Sequence, residues 1–441
     1  MKTFAVRSFR KPTLYSLLIF SFITALPFTS SAQTKGGKQV VKPPIALAYI
    51  DVATIGSDMP GANMMGAAVK GGQSGGFFGA LGGLAKGTIG GAGERGNDFG
   101  HTRAMGFAMG RFVDVSVHTS KNTSLTEATQ MIPSTMLLGD TLKLVAPLPD
   151  KPLPVVIDET PIEPAYDRPK GKISIYWGCS ESIRPGQPRT LDVAKVSAED
   201  FAKFFVMRGK TAKGARSQPG YPAWPNKVDD RKVPEKASLV GQHRFVGDGV
   251  PESLTLTLAA PQDLMPAIAL SQVKRDGGVH LEWQMIPHTR GYFISAMGAK
   301  SGGGDGADMI IWTSSELPDV GFGLIDYQSN ADVDKWIKEK VILPADVKVC
   351  DIPKGIFGEQ GGGMLRMIAY GSETFFAYPP RPNDAKLAWE PDWQSKVRVK
   401  STFSSMVGGF GEATEQKTTP RQSQDEKKRN AVDLLKDILR K

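Results

Sequence analysis

The chain has 441 residues, of which 40% are hydrophobic and 22% charged, and its formal net charge is +9 at pH 7. This length predicts two or three domains and is ample to bury a hydrophobic core. The body of the chain carries no long Lys/Arg stripe interleaved with aromatic residues, which argues against nucleic acid as a partner.

The first 32 residues have the pattern of a secretory signal peptide. A basic start precedes an apolar run over 14–28, and small residues at Ser30 and Ala32 stand where a signal peptidase reads the chain. The run of about 15 residues is shorter than the ~20 that a membrane-spanning helix needs. We therefore expect cleavage after Ala32 and an exported protein, in the periplasm or at the outer envelope and beyond. Removing the four basic residues of the signal leaves a modest net charge of +5.

Two strands and a glycine-rich insertion are predicted in an N-terminal β region, 33–146. The stretches 45–52 and 111–118 have the composition and alternation of strands, and we expect them to pair. The intervening 56–100 is rich in Gly, Ala, Met and Phe. Its glycines recur every four residues from Gly71 to Gly91, as in closely packed membrane helices, but each one weakens a helix by ~1 kcal/mol. A flexible loop is the favoured interpretation, and a membrane or self-association contact is the alternative.

A proline-rich linker is predicted after this region, at 147–169. A short strand at 136–145 precedes it, and the linker itself contains seven prolines. Such a composition is typical of an extended segment rather than a packed element. We therefore expect a domain boundary there.

A mixed β region with one helix is predicted over 170–250. The stretch 172–177 alternates as a strand does. Residues 197–207 predict a helix that Ser197 caps, with an apolar stripe formed by Phe201, Phe204 and Phe205.

Short strands separated by Gly and Pro dominate 251–405, which predicts a β-sandwich. One helix, 331–340, interrupts the run. The strands are expected at 253–258, 278–283, 291–297, 309–312, 347–352, 364–370, 374–378 and 397–403. Beyond them, 406–441 is predicted to be a polar tail that ends in an amphipathic helix over 431–441.

Part of this region resembles a known sandwich family. The segment Leu281–Trp283, a turn at 287–290 and the segment Gly291–Ile294 resemble the second and third strands of fibronectin type III-like domains, which bury a Trp on one strand and place a Tyr on the next. Here Trp283 and Tyr292 carry that resemblance, within 253–350. It implies a sandwich architecture and, by analogy, a binding or spacing role.

A second similarity covers more of the chain. The segments 176–179 and 184–188 are similar to exported Gram-negative bacterial proteins that have no assigned activity, and this similarity brings no catalytic residues with it.

The two cysteines, Cys179 and Cys350, leave two interpretations open. In an oxidising compartment they could form one disulfide, and two separate buried thiols are an equal alternative. Cys179 lies near Trp177 and Glu181, but a catalytic cysteine needs a histidine beside it. The sequence places no histidine near either cysteine.

The remaining motifs point to no cofactor, metal or catalytic site. The stretch 91–96 matches a dinucleotide-binding pattern without its strand and helix context, and 303–310 matches one calcium-binding nonapeptide without a second copy to share the ion. The five histidines form no His-x-x-x-His pair, so no zinc motif is present. Aromatic residues in proline-rich loops could stack on sugars, but anchoring of the loops to the core is favoured; these are Tyr221, Trp224, Trp389 and Trp393.

Together these features predict a mainly β protein with two antiparallel sandwich-like regions, a few short helices, a glycine-rich loop and a C-terminal amphipathic helix. The favoured function is non-enzymatic binding or scaffolding in the cell envelope, with an envelope protein or a polysaccharide as partner. The alternatives are a secreted hydrolase whose site forms only in three dimensions, and a protein that contacts the membrane peripherally through the glycine-rich segment.

Overall fold

The computed structural model describes residues 39–58, 97–103, 109–149, 171–193, 195–205, 208–301, 307–357 and 363–408, and these are mainly β. The two α-helices among them are α1 (Ala198–Phe204) and α2 (Asn330–Lys338). The strands are β1 (Ala46–Ser57), β2 (Gly110–Thr119), β3 (Glu127–Met131), β4 (Thr141–Val145), β5 (Lys172–Trp177), β6 (Arg189–Asp192), β7 (Ala223–Trp224), β8 (Gly241–Val246), β9 (Thr255–Leu258), β10 (Leu270–Arg275), β11 (Gly278–Trp283), β12 (Gly291–Ser301), β13 (Ala307–Thr313), β14 (Leu343–Pro344), β15 (Val349–Ile352), β16 (Gly363–Tyr378) and β17 (Trp393–Met406).

Two sheets contain all of these strands within the described part of the chain. The larger one has 14 strands in the order β6-β5-β13-β12-β16-β17-β1-β2-β7-β4-β3-β8-β9, with β14 paired to β12. The smaller one is β10-β11-β15. Most neighbours are antiparallel, whereas β1 with β17 and β5 with β13 are parallel.

The first and last strands of the described chain lie side by side at the centre of the large sheet. Strand β1 pairs with β17 over its whole length, from Ala46 opposite Trp393 to Ser57 opposite Ser404. On its other edge β1 pairs with β2, as the sequence predicts. The large sheet therefore contains strands from both sides of the expected linker 147–169. For example, β4, which precedes the linker, pairs with β7, which follows it.

Most predicted elements are confirmed, with shifted bounds. Both predicted helices are present, and Ser197 and Ser329 accept hydrogen bonds from Asp200 N and Asp332 N, each at 3.1 Å. The two strands expected at 364–370 and 374–378 are one strand, β16, with an irregular register between Tyr370 and Glu373. The short strands β3, β6, β7, β8, β10 and β14 have no counterpart among the predicted elements.

Several predictions concern residues that lie outside the described ranges. These are the signal peptide 1–32, most of the glycine-rich insertion 56–100, the linker 150–169, the nonapeptide loop 302–306 and the C-terminal helix 431–441. No helix of the described residues is both long and apolar enough to cross a membrane.

One face of the central strands forms the main hydrophobic core. Alternate residues of a strand point to one face, so Ile50 and Val52 of β1 lie beside Val397 and Val399 of β17 in this core. The small sheet packs on the same core through Leu281. The Trp283 ring of β11 lies 5.4 Å from the Tyr292 ring of β12, centroid to centroid, so this aromatic pair joins the two sheets.

A disulfide between Cys179 and Cys350 also connects the sheets, with a Cα–Cα distance of 4.9 Å. Cys179 follows β5 of the large sheet, and Cys350 lies in β15 of the small sheet. Backbone hydrogen bonds flank the link, since Ser180 N donates to Asp351 O at 3.0 Å. The structure therefore contains the paired alternative of the two that the sequence leaves open.

Replacing both cysteines by alanine is expected to lower the free energy of unfolding by about 2–5 kcal/mol. The bond joins residues 171 positions apart, and a cross-link over a long loop restricts the unfolded chain strongly. Urea unfolding of the mature protein measures the effect. Reduced wild-type protein is the control and should behave like the double variant; identical unfolding midpoints with and without the bond would contradict the prediction.

Candidate functional site

The second face of the central strands carries a row of buried charges instead of apolar side chains. In the sheet register, Asp51 of β1 stands between Arg398 of β17 and Asp114 of β2. All three residues are at most 1% exposed. Burying charges is unfavourable unless they are paired and hydrogen-bonded, so each of these groups needs partners within the fold.

Asp51 and Arg398 form a bidentate ion pair at the centre of this face. Arg398 Nε donates to Asp51 Oδ1 at 2.7 Å, and Arg398 Nη2 donates to Asp51 Oδ2. The guanidinium carbon lies 4.2 Å from the centre of the Tyr327 ring. Burial opposes the charge of Arg398, but the adjacent Asp51 carboxylate outweighs burial and raises the pKa of the guanidinium.

The segment 208–216 covers this pair. Ala215 N donates to Asp51 Oδ2 at 3.1 Å, and Arg398 Nη1 donates to Ala212 O. Gly214 lies between them, where a Cβ atom would overlap the guanidinium of Arg398. The backbone can therefore pass close to the ion pair only because this residue has no side chain.

A second ion pair lies two residues further along β17, at Lys400. Lys400 Nζ is 2.6 Å from Asp326 Oδ1 and 4.3 Å from the centre of the Tyr327 ring. Burial would raise the pKa of the Asp326 carboxyl, but the Lys400 ammonium outweighs burial and lowers it. The Tyr327 hydroxyl donates to Val52 O at 2.9 Å, which ties the covering loop to β1.

Asp114 is held differently, because no cation forms an ion pair with it among the described residues. Its Oδ1 accepts from Gly100 N at 3.0 Å, and its Oδ2 accepts from the Thr102 hydroxyl. Burial raises the pKa of Asp114 to about 7, although both hydrogen bonds oppose the rise. Asp114 can therefore gain or lose a proton near neutral pH.

The partners of Asp114 come from the end of the glycine-rich insertion. Residues 97–103 return to the sheet there, and Arg103 Nη2 donates to Ala215 O at 2.5 Å while lying 3.5 Å from Asp51 Oδ2. His101 is buried against the Phe112 ring, at 5.1 Å between centroids. Burial lowers the pKa of His101, so its ring is neutral at physiological pH.

The chemistry that this geometry offers is proton exchange at Asp114. A carboxyl with a near-neutral pKa beside a second carboxylate is the arrangement used in acid–base catalysis. However, Thr102 is fully buried and its hydroxyl donates to Asp114. Within the described ranges, no group of three or more His, Cys, Asp or Glu side chains is arranged to hold a metal ion.

At one end of the charged face, the segment 208–216 no longer covers the strands, and the side chains there are half-buried or exposed. Phe375 of β16, Lys396 of β17 and Tyr49 of β1 follow one another in register across the sheet. Lys396 Nζ lies 4.8 Å from the centre of the Phe375 ring. We call the whole group the aromatic–cation row; its members are Phe375, Lys396, Tyr49, Arg216, Tyr221 and His118.

The far half of the aromatic–cation row is a stack. The rings of His118 and Tyr221 are nearly parallel, 7° apart, with centroids at 4.2 Å. The guanidinium carbon of Arg216 lies 5.7 Å from the centre of the Tyr221 ring. Arg216 N donates to Ser116 Oγ at 3.1 Å, which fixes this arginine beside Tyr49 because Ser116 and Tyr49 are register partners.

The residues that the sequence singles out are not gathered in one place. Cys179 is in the disulfide and has no thiol. Trp224 and Trp393 are buried anchors, 0% and 4% exposed, whereas Trp389 and Tyr221 are half-buried. Of the five histidines, His280 lies 2.7 Å from Asp351 on the neighbouring strand.

Sequence reasoning missed the buried charges. Lys396, Arg398 and Lys400 alternate with Val397 and Val399, which is the pattern of a strand with one face in water. One signal for a buried charge was available. Asp51 stands inside the apolar stretch of β1, and no residue nearby in the sequence explains it as a partner would.

A comparison of the chain with models of known protein families finds no match, and neither does a comparison with curated protein sequences.

Asp114→Asn is expected to remove a pH dependence of stability. The pKa of this carboxyl is about 7 in the folded state against 3.8 for an ordinary aspartate, so between these pH values only the folded state holds the proton. Its contribution to stability is complete below pH 4 and is lost as the pH rises through 7, by roughly 1.4 kcal/mol per unit. Asparagine mimics the protonated acid, so the variant should gain stability relative to wild type from pH 4.5 to pH 8.

Urea unfolding at pH 4.5, 6 and 8 measures this difference. Asp98→Asn removes an exposed carboxyl from the same segment and controls for the change in formal charge. Parallel stability profiles of wild type and Asp114→Asn would refute the assignment.

Arg398→Met is expected to lower the free energy of unfolding by about 3–5 kcal/mol, because it leaves Asp51 charged, buried and without its bidentate partner. Adding Asp51→Asn to this variant should restore part of the loss. The double-mutant cycle is measured by urea unfolding at pH 7, and strictly additive effects would show that the pair is not coupled.

Proposed function

We propose that this chain is an exported cell-envelope protein that binds or scaffolds other envelope molecules and does not catalyse a reaction. The observation that carries the proposal is the aromatic–cation row. It places partly exposed aromatic and cationic side chains on adjacent strands of the sheet and on the loop held against them, and binding sites supported by such elements are precise.

The buried charges support the same proposal in another way. Ion pairs and hydrogen bonds to the covering loops satisfy all of these charged groups. They therefore form a fixed frame, which consists of Asp51, Arg398, Lys400 and Asp326. A disulfide between the sheets favours an oxidising compartment, since such bonds persist in exported proteins. The signal-like segment 1–32 agrees with this location.

A secreted hydrolase is the second candidate, and one observation favours it. Asp51 and Asp114 are neighbouring carboxylates, and the pKa of Asp114 is about 7, as a general acid requires. Against it stands the burial of both groups beneath 97–103 and 208–216, which leaves no contact with an external substrate.

The test combines location, binding and turnover. We expect the protein to be cut after Ala32 and found in the envelope fraction. The purified mature chain should cosediment with isolated envelope material and leave sugar, peptide and ester substrates unchanged. Serum albumin, added at the same concentration, controls for passive trapping in the pellet.

Two outcomes would overturn the proposal. One is hydrolysis of any of these substrates that disappears in Asp114→Asn, which would favour the hydrolase. The other is retention of the uncut protein in the cytosol, with no sedimentation beyond that of albumin.

A further inference from the structure

We propose that the aromatic–cation row binds an anionic polysaccharide, whose sugar rings lie on Phe375 and Tyr49 and whose carboxylate groups meet Arg216. This inference rests on the proposed binding function and adds the class of ligand.

The strand-borne part of the aromatic–cation row is straight. Phe375, Lys396, Tyr49 and Ser116 occupy one register line across β16, β17, β1 and β2. Neighbouring strands are ~4.8 Å apart, so the line spans roughly 14 Å. Such a straight surface fits an extended polymer of several ring-shaped units better than a compact small molecule.

Phe375 and Tyr49 provide the aromatic surface on which sugar rings would lie. Phe375 is 65% exposed, and Lys396 approaches its ring at 4.8 Å. Tyr49 is half-buried, and burial raises the pKa of its hydroxyl, so it remains a neutral ring with a polar tip. Aromatic rings of this kind combine an apolar face with a hydrogen-bonding edge, which matches the apolar faces and hydroxyl edges of sugars.

Arg216 provides the positive charge that would meet the carboxylate groups of the polysaccharide. Its backbone is fixed by Ser116 and its guanidinium lies over Tyr221, while Tyr221 is backed by His118. No carboxylate among the described residues forms an ion pair with Arg216. By contrast, the Lys396 charge is already matched by Glu373, at 3.0 Å. Among the described residues, Arg216 is therefore the cation of the row that pairs with no carboxylate.

A neighbouring lysine adds to this excess of positive charge. Lys213 is exposed on the same segment and, within the described part of the chain, pairs with no carboxylate. A planar guanidinium held in place suits a carboxylate with its two oxygen acceptors. Ring-shaped units that carry carboxylates satisfy the aromatic and the cationic halves of the row together.

The experiment measures binding of the mature chain to sodium alginate, a polyuronate, with dextran as the neutral polysaccharide and polyglutamate as the acidic peptide. We expect binding to alginate in 50 mM NaCl, weakened at least about tenfold by 500 mM NaCl because salt screens exposed charges. Dextran and polyglutamate should bind at least about tenfold more weakly than alginate, a difference that titration calorimetry resolves.

Variants of the row assign the site. Arg216→Gln and Phe375→Ser should each weaken alginate binding about tenfold. Arg189→Gln is the matched control, because Arg189 also lies over an aromatic ring, that of Phe204 at 5.0 Å, but on β6 at the edge of the large sheet, away from the central strands of the row. It should bind like wild type. Circular dichroism and unfolding midpoints verify that the variants keep the fold.

The outcomes separate this inference from the proposed function. Absence of alginate binding, equal binding of polyglutamate, or equal losses in Arg216→Gln and Arg189→Gln would each overturn the inference. If the protein still cosediments with envelope material in those cases, the binding function stands and the row is not its polyuronate site.

Discussion

The bidentate pair between Asp51 and Arg398 is the interaction on which the rest of this structure depends. It joins the first and the last strand of the described chain in parallel register, at the centre of the largest sheet. An unpaired charge at this depth would be strongly unfavourable, so a slip of one residue between β1 and β17 would expose one charge to the hydrophobic core. The pair therefore selects the register as well as stabilising it, and the cover formed by 208–216 follows from the need to satisfy its remaining hydrogen bonds.

Local pattern predicted many of the strands because their alternation is complete within a few residues. The stretch 172–177 matches β5, and 278–283 matches β11. Pairing between distant strands could not be predicted in this way. Nothing in the local sequence of 46–57 indicates that its parallel partner lies at 393–406, and a proline-rich segment such as 147–169 has the same composition whether it separates domains or connects strands of one sheet. The sequence predicts two strands in place of β16 for a related reason, because Gly371 and Ser372 suggest a turn. In the structure these residues lie at an irregularity within one continuous strand.

The candidate site was missed because a polar face has the same period whether water or protein covers it. Strand β17 presents Lys396, Arg398 and Lys400 on one face, and the sequence cannot say which of them a loop will bury. Burial decides their roles. Lys400 is 1% exposed and belongs to the frame of buried ion pairs, whereas Lys396 is half-buried and belongs to the aromatic–cation row. The loops that decide this, 208–216 and 319–328, have no periodicity from which their position could be derived.

The frame and the aromatic–cation row are parts of the same strands, and this continuity has a physical consequence for binding. Tyr49 stands two residues before Asp51, and Lys396 two residues before Arg398, so these two row positions share a face with the buried ion pair. Lys396 is in addition held by its ion pair with Glu373 before any ligand binds. Association then loses less conformational entropy, because ordering of side chains is among the main costs of forming an interface. In the proposed binding function, the buried charges thus contribute to recognition indirectly, by holding a surface that an extended ligand can meet without rearranging it.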